Sequence, residues 1–376
     1  MSTALTIKHH FRKTKDPRIN RHKKHELLDI IVIALCAVVC GAKDWQQIAA
    51  FGQERHEWFE RFLKLPNGIP SHDTFERVFD RIDPRAFQRS FQNWVAALAE
   101  KLEIKHIAID GKTLRGSGSS KLGALHMVSA WAVDQHLSLG QVATAAKSNE
   151  ITAIPELLEL LDLHGAIVTI DAMGCQKAIA SKIVERGGHY ALTVKDNQPN
   201  LLEDIRGRLQ KVMEDDINGL DHYSTTDKGH GRVENRHYTI LTDLEGIRNK
   251  DDWADLKVIG MCVHERQVGN ATPTLEVSYF IGSKVMSAKK YGQTLRNHWG
   301  IENNLHWQLD VSFAEDDNRV TKRNGAENLS LLRRLALMML KHHPSKESIA
   351  VKQWHAALNT EFLEETLNPN VKAGKI

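Results

Sequence analysis

Cysteine and proline are scarce in this chain of 376 residues, which has four cysteines and nine prolines. The cysteines show no CxxC spacing, which argues against a disulfide framework or a structural zinc site and fits a reducing cytosol. The longest apolar run, residues 27–42, contains Asp29 and is shorter than the roughly 20 residues that span a bilayer. No A-x-A-like cleavage site follows at the position expected for a secretory leader. We therefore predict a cytoplasmic protein without a membrane partner, in which this run is a buried helix.

Charge of either sign is also in little excess, since 50 lysines and arginines oppose 47 acidic residues and the formal net charge is +3. The sequence pI of about 8.5 permits a nucleic-acid partner but does not by itself indicate one. Basic residues cluster in residues 8–24, within a predicted flexible arm over residues 1–24. Two interpretations of this arm remain open, a solvated tail and a segment that contacts DNA.

Residues 25–100 predict a small all-helical N-terminal domain of four helices. Ser71 or Asp73 can cap the third helix, and Pro84 suits the first turn of the fourth. The turn at residues 65–68, followed by SHDTFERVF, is similar to the entry of a recognition helix in a helix-turn-helix. The domain therefore has two interpretations, DNA binding and dimerisation.

The pattern changes at Ile104, where short apolar strands begin to alternate with helices. The predicted order, βββαβαβα, places antiparallel strands first and helix-connected parallel strands afterwards, which indicates a mixed sheet. Residues 220–282 predict a β-rich insertion, and residues 326–342 predict a long helix that closes a domain over residues 104–342, before a polar tail over residues 343–376. The predicted strands are 105–110, 125–134, 138–146, 166–171 and 189–195, and the predicted helices are 150–163, 175–186 and 199–214.

Two of the predicted strands end in an aspartate, Asp110 and Asp171. The carboxyl ends of strands are where α/β sheets build their sites. A third acid, Glu302, lies in the segment 291–319, which predicts one amphipathic helix. Three carboxylates brought together would repel one another unless cations neutralise them. Because oxygen ligands suit Mg²⁺ or Mn²⁺, the pattern indicates metal-dependent phosphoryl transfer on nucleic acid.

The helix predicted around Glu302 has two faces of different character. One face carries His298, Glu302 and His306 at i, i+4 and i+8. These residues also allow a zinc interpretation, although their spacing differs from H-E-x-x-H. Another alternative is that the aspartates at the strand ends only cap turns. The predicted buried stripe of the helix consists of Leu295, Trp299, Ile301, Leu305 and Leu309.

Seven stretches, spread over about residues 10–340, carry a resemblance to a known family. They are KDWQQIAAFG, LPNGIPSHDTFERVF, IAIDGKTLRGS, VTIDAMGCQKAIA, TVKDNQPNL, GHGRVENR and RNHWGIENNLHWQLDVSFAEDDNR. Through them the chain resembles the DDE transposases of bacterial insertion sequences, and most closely the ISAs-type group that includes the H-repeat-associated proteins.

The resemblance implies an α/β fold, with a ribonuclease-H-like mixed sheet and a β-rich insertion after the all-helical domain. It assigns Asp110, Asp171 and Glu302 as catalytic acids that bind Mg²⁺ or Mn²⁺. It further implies cleavage and strand transfer at the ends of an insertion sequence, by a homo-oligomer on DNA that associates with the nucleoid. A metal-dependent nuclease without strand transfer and a domesticated, non-catalytic DNA-binding relative remain alternatives.

The wider superfamily often carries a Tyr-x2-Arg-x3-Glu-x6-Lys signature around the third acid, and this chain departs from it. Leu295, His298 and Leu309 occupy the Tyr, Arg and Lys positions, so the DNA contacts of those residues do not carry over. Trp299 has two interpretations, a stacking partner for a flipped base and a core residue. Basic residues elsewhere suit phosphate groups. The predicted DNA contacts are Lys112, Arg115, Lys195, Arg232, Arg236, Arg296, His298 and Trp299.

Overall fold

The structure, a computed structural model, describes residues 9–12, 14–19, 23–99, 102–118, 123–144, 150–215, 220–229 and 231–369. The chain forms two compact units. The first unit consists of Met1–Glu103, Gly111–Asn149 and Ile301–Ile376, and the second consists of Ile104–Asp110 and Glu150–Gly300. Because each unit is assembled from separate segments, its limits differ from the boundaries predicted along the sequence.

Helices come first and a mixed sheet follows, as the sequence predicts, although residues 27–99 form five helices where the sequence predicts four. The helices are α1 (Leu27–Val39), α2 (Trp45–Glu54), α3 (His56–Glu60), α4 (His72–Phe79), α5 (Pro84–Ala99), α6 (Glu150–Glu159), α7 (Lys177–Glu185), α8 (Pro199–Asp215), α9 (Ala288–His298), α10 (Trp307–Val311), α11 (Arg323–His342), α12 (Ile349–Leu358) and α13 (Thr360–Thr366). The strands are β1 (His106–Leu114), β2 (Leu125–Ala132), β3 (Leu137–Thr144), β4 (Ile167–Ile170), β5 (His189–Val194), β6 (Asp221–Gly229), β7 (Arg232–Leu241), β8 (Val258–Val268) and β9 (Thr274–Gly282).

The first unit is built around the helix that the longest apolar run forms. α1 is apolar on every side and buried along almost its whole length, as is usual for a helix that lacks a polar face. The next helix begins where the Asp44 side chain accepts a hydrogen bond from the Gln47 N–H at 2.8 Å. Pro84 occupies the first position of α5, as predicted. Among the described residues, no helix has the length and apolar character needed to cross a bilayer.

The described part of the basic arm packs against α5. The ring of Phe11 is buried and lies 5.4 Å from the ring of Phe87, and the hydroxyls of Thr14 and Ser90 are hydrogen-bonded at 2.9 Å. These contacts correct the prediction of a flexible arm, because an apolar side chain anchors this segment. The rest of the predicted arm, residues 1–8, 13 and 20–22, lies outside the described residues.

The strands of the first unit lie in the order β3-β2-β1, and β1 contributes its second half to this unit. β2 and β3 pair antiparallel and are buried almost throughout. β1 continues past Asp110, where the sequence predicted its end, since Leu114 packs with Leu125 and Met127 in a buried cluster. At the other end of this unit, residues 343–376 were predicted to form a tail. Their described part instead contains α12 and α13, whose apolar residues pack in the unit.

The strands of the second unit lie in the order β1-β4-β5-β9-β8-β7-β6, and β1 contributes its first half. β1, β4 and β5 are parallel, with Ile109 opposite Ile170 and Ile170 opposite Leu192. β9 pairs antiparallel with β5, and β6 to β9 form an antiparallel meander. The predicted insertion over residues 220–282 is therefore β-rich, and it extends the sheet of this unit.

Candidate active site

Asp110 and Asp171 occupy equivalent positions on neighbouring parallel strands of the second unit. Asp110 directly follows Ile109 and Asp171 directly follows Ile170, and these two isoleucines lie opposite each other in the paired strands. Because the strands run in the same direction, both carboxylates lie at the same edge of the sheet. The strand order thus brings together two of the three predicted acids.

The carboxyl group of Asp171 lies in a field of negative charge. Burial, the charge of Asp110 and the charge of Glu150 together raise its pKa above the usual value. The backbone N–H groups of Met173 and Gly174 donate to its Oδ1 atom, at 3.1 and 3.4 Å, and oppose this rise. Asp171 does cap a turn, as the capping alternative holds, but both amides donate to the same carboxylate oxygen, Oδ1.

Glu150 was not among the predicted site residues. Its side chain is buried at the first residue of α6, and its charge acts on Asp171. The available signal was an acid at the start of the helix that leads into β4. That signal is weak, because acids are common in the first turn of any helix.

The segment that carries Glu302 is not the single α-helix that the sequence predicts. α9 ends at His298, and a π-helical turn occupies Glu302–His306 before α10 begins. Such wide turns within α-helices are often found at functional sites. The side chain of Glu302 is exposed and that of His306 is buried, so the two residues do not form one exposed face. The zinc interpretation stays a prediction that no cluster among the described residues supports.

The buried stripe of that segment is confirmed at Ile301, Leu305 and Leu309, which have no exposed surface. Trp299 does not belong to it. Its side chain is 54% exposed and its ring meets that of His298 edge to face, so the interpretation of Trp299 as a core residue is wrong.

His298 contacts the protein interior of the second unit. Its Nδ1 atom lies 3.0 Å from the hydroxyl oxygen of Thr169, and the same oxygen lies 2.8 Å from Nε2 of His106. The role of His298 as a DNA contact stays a prediction, and one of its ring nitrogens is already hydrogen-bonded to the hydroxyl of a buried strand residue. Neither His106 nor Thr169 was among the predicted site residues, although both are polar residues within apolar strands of the sequence.

Two of the basic residues predicted to contact DNA are enclosed by acids. Lys112 is 8% exposed, and its Nζ atom lies 2.7 Å from carboxylate oxygens of both Asp310 and Asp316. Arg236 is 9% exposed and its Nη1 atom lies 2.7 Å from the Asp227 carboxylate. Both predictions are corrected, because these charges are already paired inside the protein and a phosphate would have to displace a carboxylate. Lys112 also lies in β1 and not in a loop.

The other predicted basic residues are accessible. Lys195 is exposed, and the Arg115 side chain is 83% exposed with its Nε atom 3.4 Å from an Asp316 oxygen. Arg232 and Arg296 are about half exposed and pair with acids of β7 and β6 respectively. Arg266 of β8, which was not among the predicted residues, also pairs with Glu234. These side chains are therefore accessible to solvent.

The three predicted acids lie in the two units as follows: Asp110 and Asp171 in the second, Glu302 in the first. Within the described residues, no three His, Cys, Asp or Glu side chains are grouped so as to hold a metal ion. The complete set of three acids therefore stays a prediction.

Comparisons with known proteins decide the family. A model described as "Transposase DDE domain" matches residues 101–339, which is well over half of the chain, and one described as "DDE_Tnp_1-associated" matches residues 8–95. The chain belongs to the DDE transposase family. The predicted ribonuclease-H-like α/β fold class is confirmed by this membership together with the mixed sheet.

Relatives of this transposase cover nearly its full length. "Putative transposase YncI" of Escherichia coli O157:H7 is 41% identical over 350 residues, which are 92% of this chain and 90% of that protein. "H repeat-associated putative transposase YhhI" of Escherichia coli (strain K12) is 39% identical over 92% of this chain and 93% of that protein. A cryo-EM structure of the piggyBac transposase synaptic complex with hairpin DNA aligns at 10% identity with a TM-score of 0.40, over 99% of this chain and 79% of that chain.

Proposed function

We propose that this transposase catalyses metal-dependent cleavage and strand transfer at the ends of an insertion sequence. The observation that carries the proposal is the pairing of Asp110 and Asp171 at one edge of the sheet, close enough for the charge of one to raise the pKa of the other. A purely structural site gains nothing from two acids that oppose each other's ionisation. A site that binds cations and phosphates needs them.

The donor set fits Mg²⁺ or Mn²⁺. Asp110 and Asp171 offer only oxygen atoms, and a divalent ion would relieve the repulsion that raises the pKa of Asp171. We propose that these two residues hold the metal and that Glu302, which is exposed on the π-helical turn, supplies the third carboxylate. When bound, the ion supplies Lewis-acid stabilisation of charge on the phosphoryl group.

The DNA partner is proposed to contact the accessible basic side chains. Lys195, Arg232 and Arg296 would bind backbone phosphates, and Arg115 would do so from the turn after β1. Trp299, which is exposed, would stack on an unpaired base. We further propose that the helices over residues 25–100 bind DNA or dimerise, that the protein acts as a homo-oligomer on paired ends, and that it works in the cytoplasm at the nucleoid.

The test uses DNA that flanks the gene, since the ends of an intact element lie there as inverted repeats. The wild-type protein should cleave this DNA in Mg²⁺ and join a pre-cut end to a target plasmid. Asp110→Asn, Asp171→Asn and Glu302→Gln should each lower both rates by at least about 100-fold, since each removes a charge that the reaction requires. Asp134→Asn, at an exposed turn residue, is the matched control and should keep both rates.

Three outcomes would contradict parts of the proposal. Unchanged cleavage by Asp110→Asn would remove the site assignment. Cleavage without joining of pre-cut ends would make the protein a nuclease. Absence of both activities in the wild type, with DNA binding retained, would make it a non-catalytic relative.

A further inference from the structure

Three polar side chains meet inside the second unit, where apolar residues would be expected. The hydroxyl oxygen of Thr169 lies 2.8 Å from Nε2 of His106 and 3.0 Å from Nδ1 of His298. Thr169 is 1% exposed and His106 is 6% exposed. We refer to these three residues as the His–Thr–His network.

These three polar side chains are compatible with a buried position because they are hydrogen-bonded to one another. Parallel strands covered on both faces are usually runs of apolar residues, and a buried polar group costs stability unless it is paired. The Thr169 hydroxyl can donate to one ring and accept from the other. Burial, and secondarily His298, lowers the pKa of His106 to about 3, so its ring is neutral and has one N–H and one acceptor nitrogen at neutral pH. The polar groups therefore match one another.

The placement of the network along the chain is the second observation. His106 lies on β1, four residues before Asp110, and Thr169 lies on β4, two residues before Asp171. His298 is the last residue of α9, four residues before Glu302. Each proposed catalytic acid thus follows one member of the network on its own stretch of chain.

Most of α9 packs through apolar contacts. Ala288 and Tyr291 pack in an apolar cluster with Phe280 and Val258, and Leu295 lies against it. Apolar contacts hold a helix to a sheet but have little directionality, whereas hydrogen bonds fix distance and angle. Directional contacts hold α9 at both ends, since the backbone N–H of Ala288 donates to the Asp221 carboxylate at 2.9 Å and His298 contacts Thr169 at the end that leads to Glu302.

We propose that the His–Thr–His network is a positioning device, which fixes the C-terminal end of α9 to the two strands that lead to Asp110 and Asp171. His106, Thr169 and His298 act through the backbone and do not touch the reacting atoms. The inference rests on the proposed function for its catalytic consequence, but the fixing of the helix is measurable without it.

The test compares Thr169→Val, which removes the hydroxyl at nearly constant volume, with Thr169→Ser, which keeps it. Thr239→Val is the matched control, since Thr239 is a buried threonine of β7 in the same unit. Hydrogen–deuterium exchange of the full chain would be followed in the peptide over residues 294–304. Cleavage of gene-flanking DNA in Mg²⁺ would give kcat and KM.

Thr169→Val should speed exchange in that peptide and lower kcat by about 10–100-fold, since a shift of about 1 Å in a catalytic group has effects of this size. KM for DNA should stay within about twofold, because no contact to DNA is removed. Thr169→Ser should restore both, and Thr239→Val should resemble the wild type. If Thr169→Val does not fold, His298→Leu carries the same expectations, because it leaves both strands intact.

Wild-type exchange in the peptide for Thr169→Val, or an equal acceleration for Thr239→Val, would overturn the proposal. A rise in KM for DNA with unchanged kcat in Thr169→Val would also overturn the proposal, because it would indicate a role in binding DNA. If the wild type cleaves no DNA, the proposed function fails, and the exchange comparison alone still decides whether the network fixes the helix.

Discussion

Lys112 meets its acidic partners across a large separation in sequence, since Asp316 lies 204 positions further along the chain. Asp310 and Asp316 contact its ammonium group, and the fully buried Glu315 lies 3.8 Å away. Burial opposes ionisation of Glu315, but Arg334, Arg333 and Lys112 outweigh it and lower its pKa. The first unit therefore contains a cluster of acids and cations in which each charge is stabilised by opposite charges beside it.

Replacing Lys112 with methionine should destabilise the first unit. The change leaves acids without their central cation, and we expect a loss of about 2–3 kcal/mol, which is less than the ~3–5 kcal/mol of a fully buried pair because Asp310 and Asp316 are partly exposed. Urea unfolding followed by circular dichroism would measure it. Arg115→Met is the control, and at an 83% exposed side chain it should cost less than about 0.5 kcal/mol. Equal losses in the two variants would show that the Lys112 contacts contribute little.

At the scale of elements, the π-helical turn over Glu302–His306 is the feature with the clearest consequence. It adds a residue to one helical turn, and so changes the direction of Glu302 relative to the buried Leu305 that follows. Removal of that extra residue would rotate Glu302 by about 100° about the helix axis relative to Leu305.

Deleting Asn303, an exposed residue of the turn, should convert it to a regular helix. Ile301, Leu305 and Leu309 would then be spaced i, i+3 and i+7, which still forms one apolar stripe, so the thermal midpoint should change little. Cleavage in Mg²⁺ should fall by at least about 100-fold, because Glu302 would be misdirected. Asn303→Ala, which keeps the chain length, should retain activity. Retained cleavage after the deletion would mean that the wide turn does not direct Glu302.

The sequence predicted the elements well where one periodic pattern determines them. The strands that lead into Asp110 and Asp171 and the meander after residue 220 follow from local sequence patterns, whereas the continuation of β1 to Leu114 does not. The errors have non-local causes. Lys112 appears solvent-exposed until Asp310 is placed beside it, and a π-helical turn leaves no mark in a 3.6-residue pattern. The His–Thr–His network was missed for the same reason, since its members are far apart in the chain.

At the scale of the whole molecule, a net charge of +3 is too small to bind DNA through bulk attraction. The proposed DNA binding would therefore depend on local groups of basic residues. One such group surrounds Glu234 and Asp227 in the second unit and consists of Arg232, Arg236, Arg266 and Arg296. Three of these arginines are about half exposed, whereas Arg236 is the buried member of the group.

The salt dependence of DNA binding should distinguish the exposed arginines from the buried one. Non-specific affinity for a long duplex of random sequence falls with salt in proportion to the number of phosphates neutralised, so Arg232→Gln and Arg296→Gln should each reduce the slope of log K against log salt concentration by about 1. Arg236→Gln should leave the slope unchanged and lower the thermal midpoint instead, because it removes the buried one of the cations that pair with the nearly buried Glu234. Fluorescence anisotropy over a series of salt concentrations would measure the slopes. A change of slope for Arg236→Gln alone would reverse the assignment and make the buried arginine the phosphate contact.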